Sequence, residues 1–343
     1  MRMRATLLII PFLVIASASL AQGYDALVRQ AESKIAAGSW EEALALYEKA
    51  FETGEFSYVD YYNAAIAYVH LDKPDMGYSY LLKAVRAGLL DRDRLEQDPD
   101  LEALRTGGQW QSVMDSVQRE LEALEKRCPE TRVAGPLIDL PAPRLEGAVS
   151  VEEALHGRRS IRSYSAEPLT LADVSQLLWA AYGITKTLEG APSFIRGGFR
   201  TAPSAGARFP LELYLAAFDV RDLPAGIYVY QSENHKLMLI AEGDKRSEVS
   251  ESAFNQDHFR TASAAIIYSA IYERTTVKYG RRGRERYVCM DLGHSAENVY
   301  LQAQTLGIGT CAIGAFTDLW LRKACRMTRS EEPIYIMPLG RME

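Results

Sequence analysis

Apolar positions change their spacing near residue 150. From Tyr24 to about Arg127 they return at helical intervals with few strand-like runs, as in "GSWEEALALYEKAFETG" and "DKPDMGYSYLLKAVRAG". Aligning these segments pairs Lys49-Ala50 with Lys83-Ala84, Ala43 with Gly77 and Tyr47 with Leu81, an offset of 34 residues. Beyond residue 150, helix-periodic "VEEALHG", "TLADVSQLLWAAYG" and "YVCMDLGHSAENVYLQAQTLG" are interspersed with β-branched and aromatic runs bounded by Gly and Pro: "LELYLAAF", "GIYVYQ", "KLMLIA", "AAIIYSAIY" and "PIYIMPLGR". That order predicts an α+β layer behind an all-α helical domain. No GxGxxG follows a strand, so a Rossmann site has no support.

Between the two patterns lies "CPETRVAGPLIDLPAPRLEGAVS", residues 128–150. Its four prolines remove backbone donors and its glycines loosen the chain, which predicts an extended connector. The N-terminus, "MRMRATLLIIPFLVIASASLAQG", has a positive start, a short apolar stretch and small residues at Ser19 and Ala21. It reads as a signal peptide cleaved after Ala21, too short in its apolar part for a membrane span. The expected organisation is therefore 1–21 signal peptide, 22–127 helical domain, 128–150 linker and 151–343 α+β domain. The mature protein would be exported, periplasmic or extracellular.

Charge and composition narrow the chemistry. A net charge of −6 over 343 residues argues against nucleic-acid binding, which needs a broad basic face. Cys128, Cys289, Cys311 and Cys325 show no CxxC or Cys/His metal spacing, and the five His residues are dispersed, so no metal site is expected. Against this acidic background stands "RRSIRSY", residues 158–164, with three arginines in seven positions. Guanidinium suits an anionic ligand because its planar fork matches phosphate oxygens and it stays charged. Shortly after the heptad, Thr170 with Asp173 three positions on marks a capping box. Downstream stand the Pro-Ser-small-Gly loop of "RTAPSAGARFPLELYL", the apolar Gly-rich "IGTCAIGAF" and the terminal "PLGR".

These four motifs, in this order, resemble the FMN-dependent nitroreductase superfamily. "TAPSAGARFPLELY", "GHSAENVYLQAQTLGIG" and "YIMPLGR" are most similar to its branch of azoline-oxidising dehydrogenases, and the resemblance covers about residues 140–343. It implies a mixed sheet flanked by helices and FMN bound at a homodimer interface. Arg158 and Ser160 would contact the phosphate or ribityl chain together with Arg341, Arg159 would act mostly through its backbone, and Arg162 would lie by the N1/O2 edge, where reduction leaves negative charge. Pro203, Ser204, Ala205 and Gly206 would approach the flavin from the other subunit. Ile313 and Gly314 would lie against the ring through backbone contacts, and Gln256 would supply an amide hydrogen bond to the pyrimidine.

Tyr279, Arg282, Arg286 and Tyr287 resemble the branch's substrate-side segment, but a solvated, charge-rich loop reads equally well there. His294 reads as a core residue, and no catalytic residue is singled out. The 34-residue offset is that of tetratricopeptide repeats, which the helical domain resembles, and such repeats offer a surface to a peptide or protein partner. Together these features describe an exported FMN-dependent oxidoreductase acting on a small-molecule or peptide substrate. The alternative is a flavin-binding scaffold or sensor whose repeats recruit a partner without turnover.

Overall fold

A computed structural model describes residues 12–52 and 58–343, and the chain separates into two compact units, Met1–Ala123 and Leu124–Glu343. Residues 1–11, with the charged start of the expected signal peptide, lie outside the described residues. Among the described residues no helix is long and apolar enough to cross a membrane.

The first unit is helical: α1 (Phe12–Ala36), α2 (Trp40–Phe51), α3 (Tyr58–His70), α4 (Pro74–Ala87), the short α5 (Arg92–Gln97) and α6 (Glu102–Arg105), and most of α7 (Trp110–Arg127). α2 and α4 start at Trp40 and Pro74, which preserves the offset seen in the sequence. The aligned positions are the ones that pack: Ala43, Tyr47, Ala50, Leu81 and Ala84 are fully buried. Gly77 has a reason of its own, since a Cβ there would stand 3.2 Å from Val69 Cγ2 of α3. A small residue lets α3 and α4 approach closely.

The second unit is built on strands β1 (Leu137–Asp139), β2 (Leu169–Thr170), β3 (Ile184–Thr187), β4 (Gly198–Arg200), β5 (Leu211–Ala217), β6 (Val220–Arg221), β7 (Gly226–Gln231), β8 (Lys236–Glu242), β9 (Ala264–Ala270), β10 (Ile308–Thr310) and β11 (Glu332–Arg341). Seven form one sheet in the order β1-β8-β7-β5-β9-β11-β10, with every neighbouring pair antiparallel. The parallel pairing is that of β2 with β6, and β3 and β4 form a separate antiparallel pair.

The unit's helices are α8 (Val151–Gly157), α9 (Leu171–Tyr182), α10 (Arg246–Ser252), α11 (Glu273–Tyr279), α12 (Val288–Thr305) and α13 (Asp318–Ala324). Central strands alternate between two cores. Leu213, Leu215, Ile266 and Tyr268 join α9 and α12 on one face, while Tyr214, Ala216, Ala265 and Ile267 join α10 and α13 on the other. A sheet buried on both faces explains why these strands read as unbroken apolar runs.

The Pro-rich segment is extended, and it is also stitched to this unit. β1 pairs with β8, and Arg132 reaches Glu212 at 3.2 Å and the fully buried Glu331 at 2.7 Å. Farther along, Pro141 O accepts from Ser175 Oγ at 2.6 Å and from His235 Nε2 at 3.1 Å. His235 Nδ1 lies 2.8 Å from Tyr230 Oη, so the ring fits as a neutral tautomer protonated on Nε2.

Burial lowers the pKa of His235, and burial followed by the nearby Arg162 charge lowers that of His258. A depressed folded-state pKa means that the unfolded chain binds protons more readily, so this stability is present above the ordinary histidine pKa of about 6.5 and is lost as pH falls below it. Thermal melts are expected to show a lower midpoint at pH 5 than at pH 7, with a smaller difference in His235→Gln. An identical difference in that variant would remove His235 from the account.

Candidate functional site

The heptad leaves α8 directly. Ser150 and Glu153 close a capping box at that helix's start, and Arg158 forms its C-terminal cap. The backbone then runs along the sheet's edge, with Ile161 N donating to Thr310 O at 2.9 Å and Ser165 N donating to Arg341 O at 3.0 Å. Tyr164 fixes the height of this passage. Gly309 and Gly340 face each other across β10 and β11; a Cβ on Gly340 would run into Tyr164, and one on Gly309 into Ile161 with Tyr164 beside it. Glycine in "PLGR" thus serves the packing of the heptad's own tyrosine.

With its backbone fixed, the heptad presents its polar side chains to solvent. Arg162 is exposed and has no carboxylate partner among the described residues. Arg158 lies 5.2 Å over the Tyr300 ring and 3.9 Å from Glu297, a loose contact. Arg159 turns back to donate to His156 O and Arg158 O at 3.0 and 2.7 Å, without a carboxylate. Ser160 Oγ is 3.3 Å from Tyr300 Oη, which itself accepts from Ala312 N at 2.7 Å. Tyr300 O–H can therefore donate to Ser160 Oγ and leave the serine hydroxyl free to donate.

The segment 254–260 approaches the same place, since the Arg162 charge acts on His258. His258 is 5% exposed, and its Nε2 has no hydrogen-bond partner among the described residues. Beside it, Gln256 donates its amide to Ala253 O at 3.0 Å, which leaves its side-chain carbonyl as the free end. Ile313 is buried in an antiparallel bridge to Ile336, and Gly314 opens to space with nothing within 4 Å of a built Cβ. Between β10 and this bridge, Cys311 is fully buried, and burial raises its thiol pKa.

The Pro-Ser-small-Gly loop is held from α12. Ser204 Oγ donates to Asp291 Oδ2 at 2.5 Å and Ala205 N to Asp291 Oδ1 at 3.2 Å, while Pro203 and Gly206 are exposed. A Cβ on Gly206, whose φ is +62°, would meet Tyr279 Oη at 2.5 Å and Lys278 Nζ at 2.9 Å. The loop therefore sits against the segment read as substrate-side. That segment is helical rather than a loop, yet its Arg282 and Arg286 are exposed: α11 ends at Tyr279, and Gly283–Tyr287 winds as a single π-helical stretch into α12.

Arg341 gains a partner, and one sequence reading changes. Arg341 donates to Asp173 Oδ2 at 2.6 Å and to Leu306 O at 3.0 Å, so an anion there would share it with a carboxylate. His294 is exposed rather than in the core. What sequence reasoning missed is the holding face of α12. Asp291, Ser295, Asn298 and Gln302 repeat at i, i+4, i+7 and i+11, a polar stripe at helical period on a packed helix. Ser295 donates to Ala181 O at 2.7 Å and Asn298 to Ala180 O at 3.1 Å, which locks α12 to α9. With Asp291 on the loop and Tyr300 on Ser160 and Ala312, one helix touches three of the candidate segments. Among the described residues no group of His, Cys, Asp and Glu is placed to hold a metal ion, and the four cysteines are free thiols.

Comparison with known proteins shows the family of the second unit. The sequence pattern described as the nitroreductase family matches residues 155–341. A protein of Methanocaldococcus jannaschii named as a nitroreductase is 40% identical over 207 residues, 60% of this chain and 98% of that protein. The trifolitoxin-processing protein TfxB of Rhizobium leguminosarum bv. trifolii is 29% identical over 113 residues, 32% of this chain and 30% of its own length. Among solved structures, one of a nitroreductase from Ralstonia eutropha has 29% identity and a TM-score of 0.51, covering 63% of this chain and 97% of that one.

Proposed function

Because this chain belongs to the nitroreductase family, we propose that it is an FMN-dependent oxidoreductase that passes hydride or electrons between the flavin and a substrate or protein partner. The observation that carries this reading is the heptad: a backbone fixed to the sheet edge, an exposed guanidinium at Arg162 without a carboxylate, and a Ser160 hydroxyl free to donate. FMN fits these residues, because an anionic group would find cations there without displacing strong ion pairs. When bound, FMN supplies a ring that accepts and returns hydride.

Around it, Arg158, Arg159 and Ser160 would take the phosphate end, and Arg162 the edge of the ring that gains negative charge. The orphaned His258 Nε2 and the free carbonyl of Gln256 lie on the segment adjoining Arg162. Ile313 and Gly314 offer backbone and open space, and residues 203–206 close the site, within a homodimer. Arg341 would serve first as the anchor of α9 through Asp173.

The substrate would be a peptide or a small molecule, and the kinship with a trifolitoxin-processing protein supports the first. We further propose that the N-terminal segment directs export and that the helical unit, as a pair of tetratricopeptide-type repeats, holds a partner. Outside the cytoplasmic NAD(P)H pool, a tethered partner would supply or receive electrons at an effective concentration of about millimolar.

The arginines test the assignment. Losing a charge-assisted contact to phosphate costs about 1.5–3 kcal/mol, or roughly one to two decades in affinity. Arg158→Ala is expected to weaken FMN binding on that scale, while Arg162→Ala lowers the flavin's reduction potential with a smaller loss of affinity. FMN titration and potentiometry of the two variants separate these roles. An unchanged potential in Arg162→Ala would show that another group faces the reduced ring.

A further inference from the structure

Residues 204–209 adopt a backbone that side chains resist. Gly206, Ala207 and Phe209 have φ of +62°, +55° and +46°, and two of these three are not glycine. Left-handed conformations at alanine and phenylalanine persist only where the surroundings over-determine them. The loop's own hydrogen bonds are few, Ala207 N to Ser204 O at 3.1 Å and Arg208 N to Ala205 O at 3.4 Å. What closes it is Ser204 Oγ, which accepts from Phe209 N at 2.9 Å and donates to Asp291 Oδ2 at 2.5 Å. Ala205 N occupies the other carboxylate oxygen.

Asp291 is 3% exposed and pairs with no Lys or Arg among the described residues, although His294 lies near enough to act on its charge. A buried carboxylate without a cation is costly unless its oxygens are satisfied, and here both are satisfied by consecutive residues of one loop. Nothing in the packing of α12 requires an anion at this position.

We infer that Asp291 is a positioning residue for the flavin site: its carboxylate holds Ser204 and Ala205 so that the strained loop keeps the conformation in which it meets the cofactor. This rests on the FMN reading above. Burial raises the pKa of Asp291, and the Ser204 and Ala205 hydrogen bonds oppose that rise, as expected if the loop is what keeps the carboxylate ionised.

The test uses the full chain freed of flavin, titrated with FMN by fluorescence quenching, together with amide hydrogen exchange at Ala205 and Phe209. Asp291→Ala is expected to raise the FMN dissociation constant about tenfold or more and to accelerate exchange of both amides by a similar factor. Asp291→Asn should recover part of each effect, because its single carbonyl can still accept from Ala205 N. Unchanged affinity and exchange in Asp291→Ala would overturn the inference. Should that variant fail to fold, Ser204→Ala decides it, since removing one hydroxyl opens the clamp and leaves the helix intact; wild-type affinity and exchange there would overturn it equally. If the wild-type chain binds no FMN, the cofactor reading fails, and the exchange rates still decide whether Asp291 holds the loop.

Discussion

Arg132→Met is expected to destabilise the second unit by about 3–5 kcal/mol, seen as a fall of about 10 °C or more in its melting temperature. Glu331 is fully buried and takes hydrogen bonds from Tyr214 Oη, Ser269 Oγ and Thr328, but Arg132 is the cation paired with it. Glu212 is differently placed. Burial works against its charge, yet Arg196, Arg274 and Arg132 outweigh this and hold its carboxyl well below the usual range, so two cations remain when Arg132 is removed. The loss therefore falls on Glu331, left as a buried, uncompensated anion. Replacing both partners, Arg132→Met with Glu331→Gln, should recover much of it, because the expensive state is the unpaired charge and not the absence of the pair. Calorimetry that finds a change below about 1 kcal/mol in the single variant would mean that water or backbone replaces the guanidinium.

Gly340→Ala is the second substitution with a large expected effect, and it acts on stability and site together. The new Cβ would stand 2.5 Å from Tyr164 Cγ and 2.6 Å from Tyr164 Cβ, too close to the heptad's backbone for a rotamer change to relieve. Overpacking of this kind costs about 1–3 kcal/mol. Because Tyr164 closes the heptad, its displacement should lift Ile161 N from Thr310 O and carry Arg158, Ser160 and Arg162 out of register, weakening FMN about tenfold or more. A normal FMN titration in a destabilised Gly340→Ala protein would show that the site does not depend on the tyrosine's seat on the two glycines.

The sheet was legible because burial on both faces writes a strand as an unbroken apolar run, and "GIYVYQ" coincides with β7. The repeat offset was legible because small and large residues recur at positions that pack. β1 was hidden, since prolines flank its three residues and its pairing partner lies about a hundred positions away. The heptad's prominence came from charge density, which sequence displays directly. Its supports did not show: Asp291 and Tyr300 act across 87 and 140 positions, and only the polar stripe of α12 hinted that a packed helix carried work on that face. Arg341 has a partner that the sequence does not show. A terminal arginine in a familiar motif reads as a ligand contact, and the fold also gives it the Asp173 of a capping box nearby.

FMN binding is tested most directly by the flavin content of the purified full-length protein, measured by absorption spectrum and by identifying the chromophore released on heating. The account predicts a yellow protein that holds one FMN per chain non-covalently, releases it intact and retains it less well in Arg158→Ala. A colourless protein that takes up no FMN on reconstitution, or one that releases FAD, would contradict it.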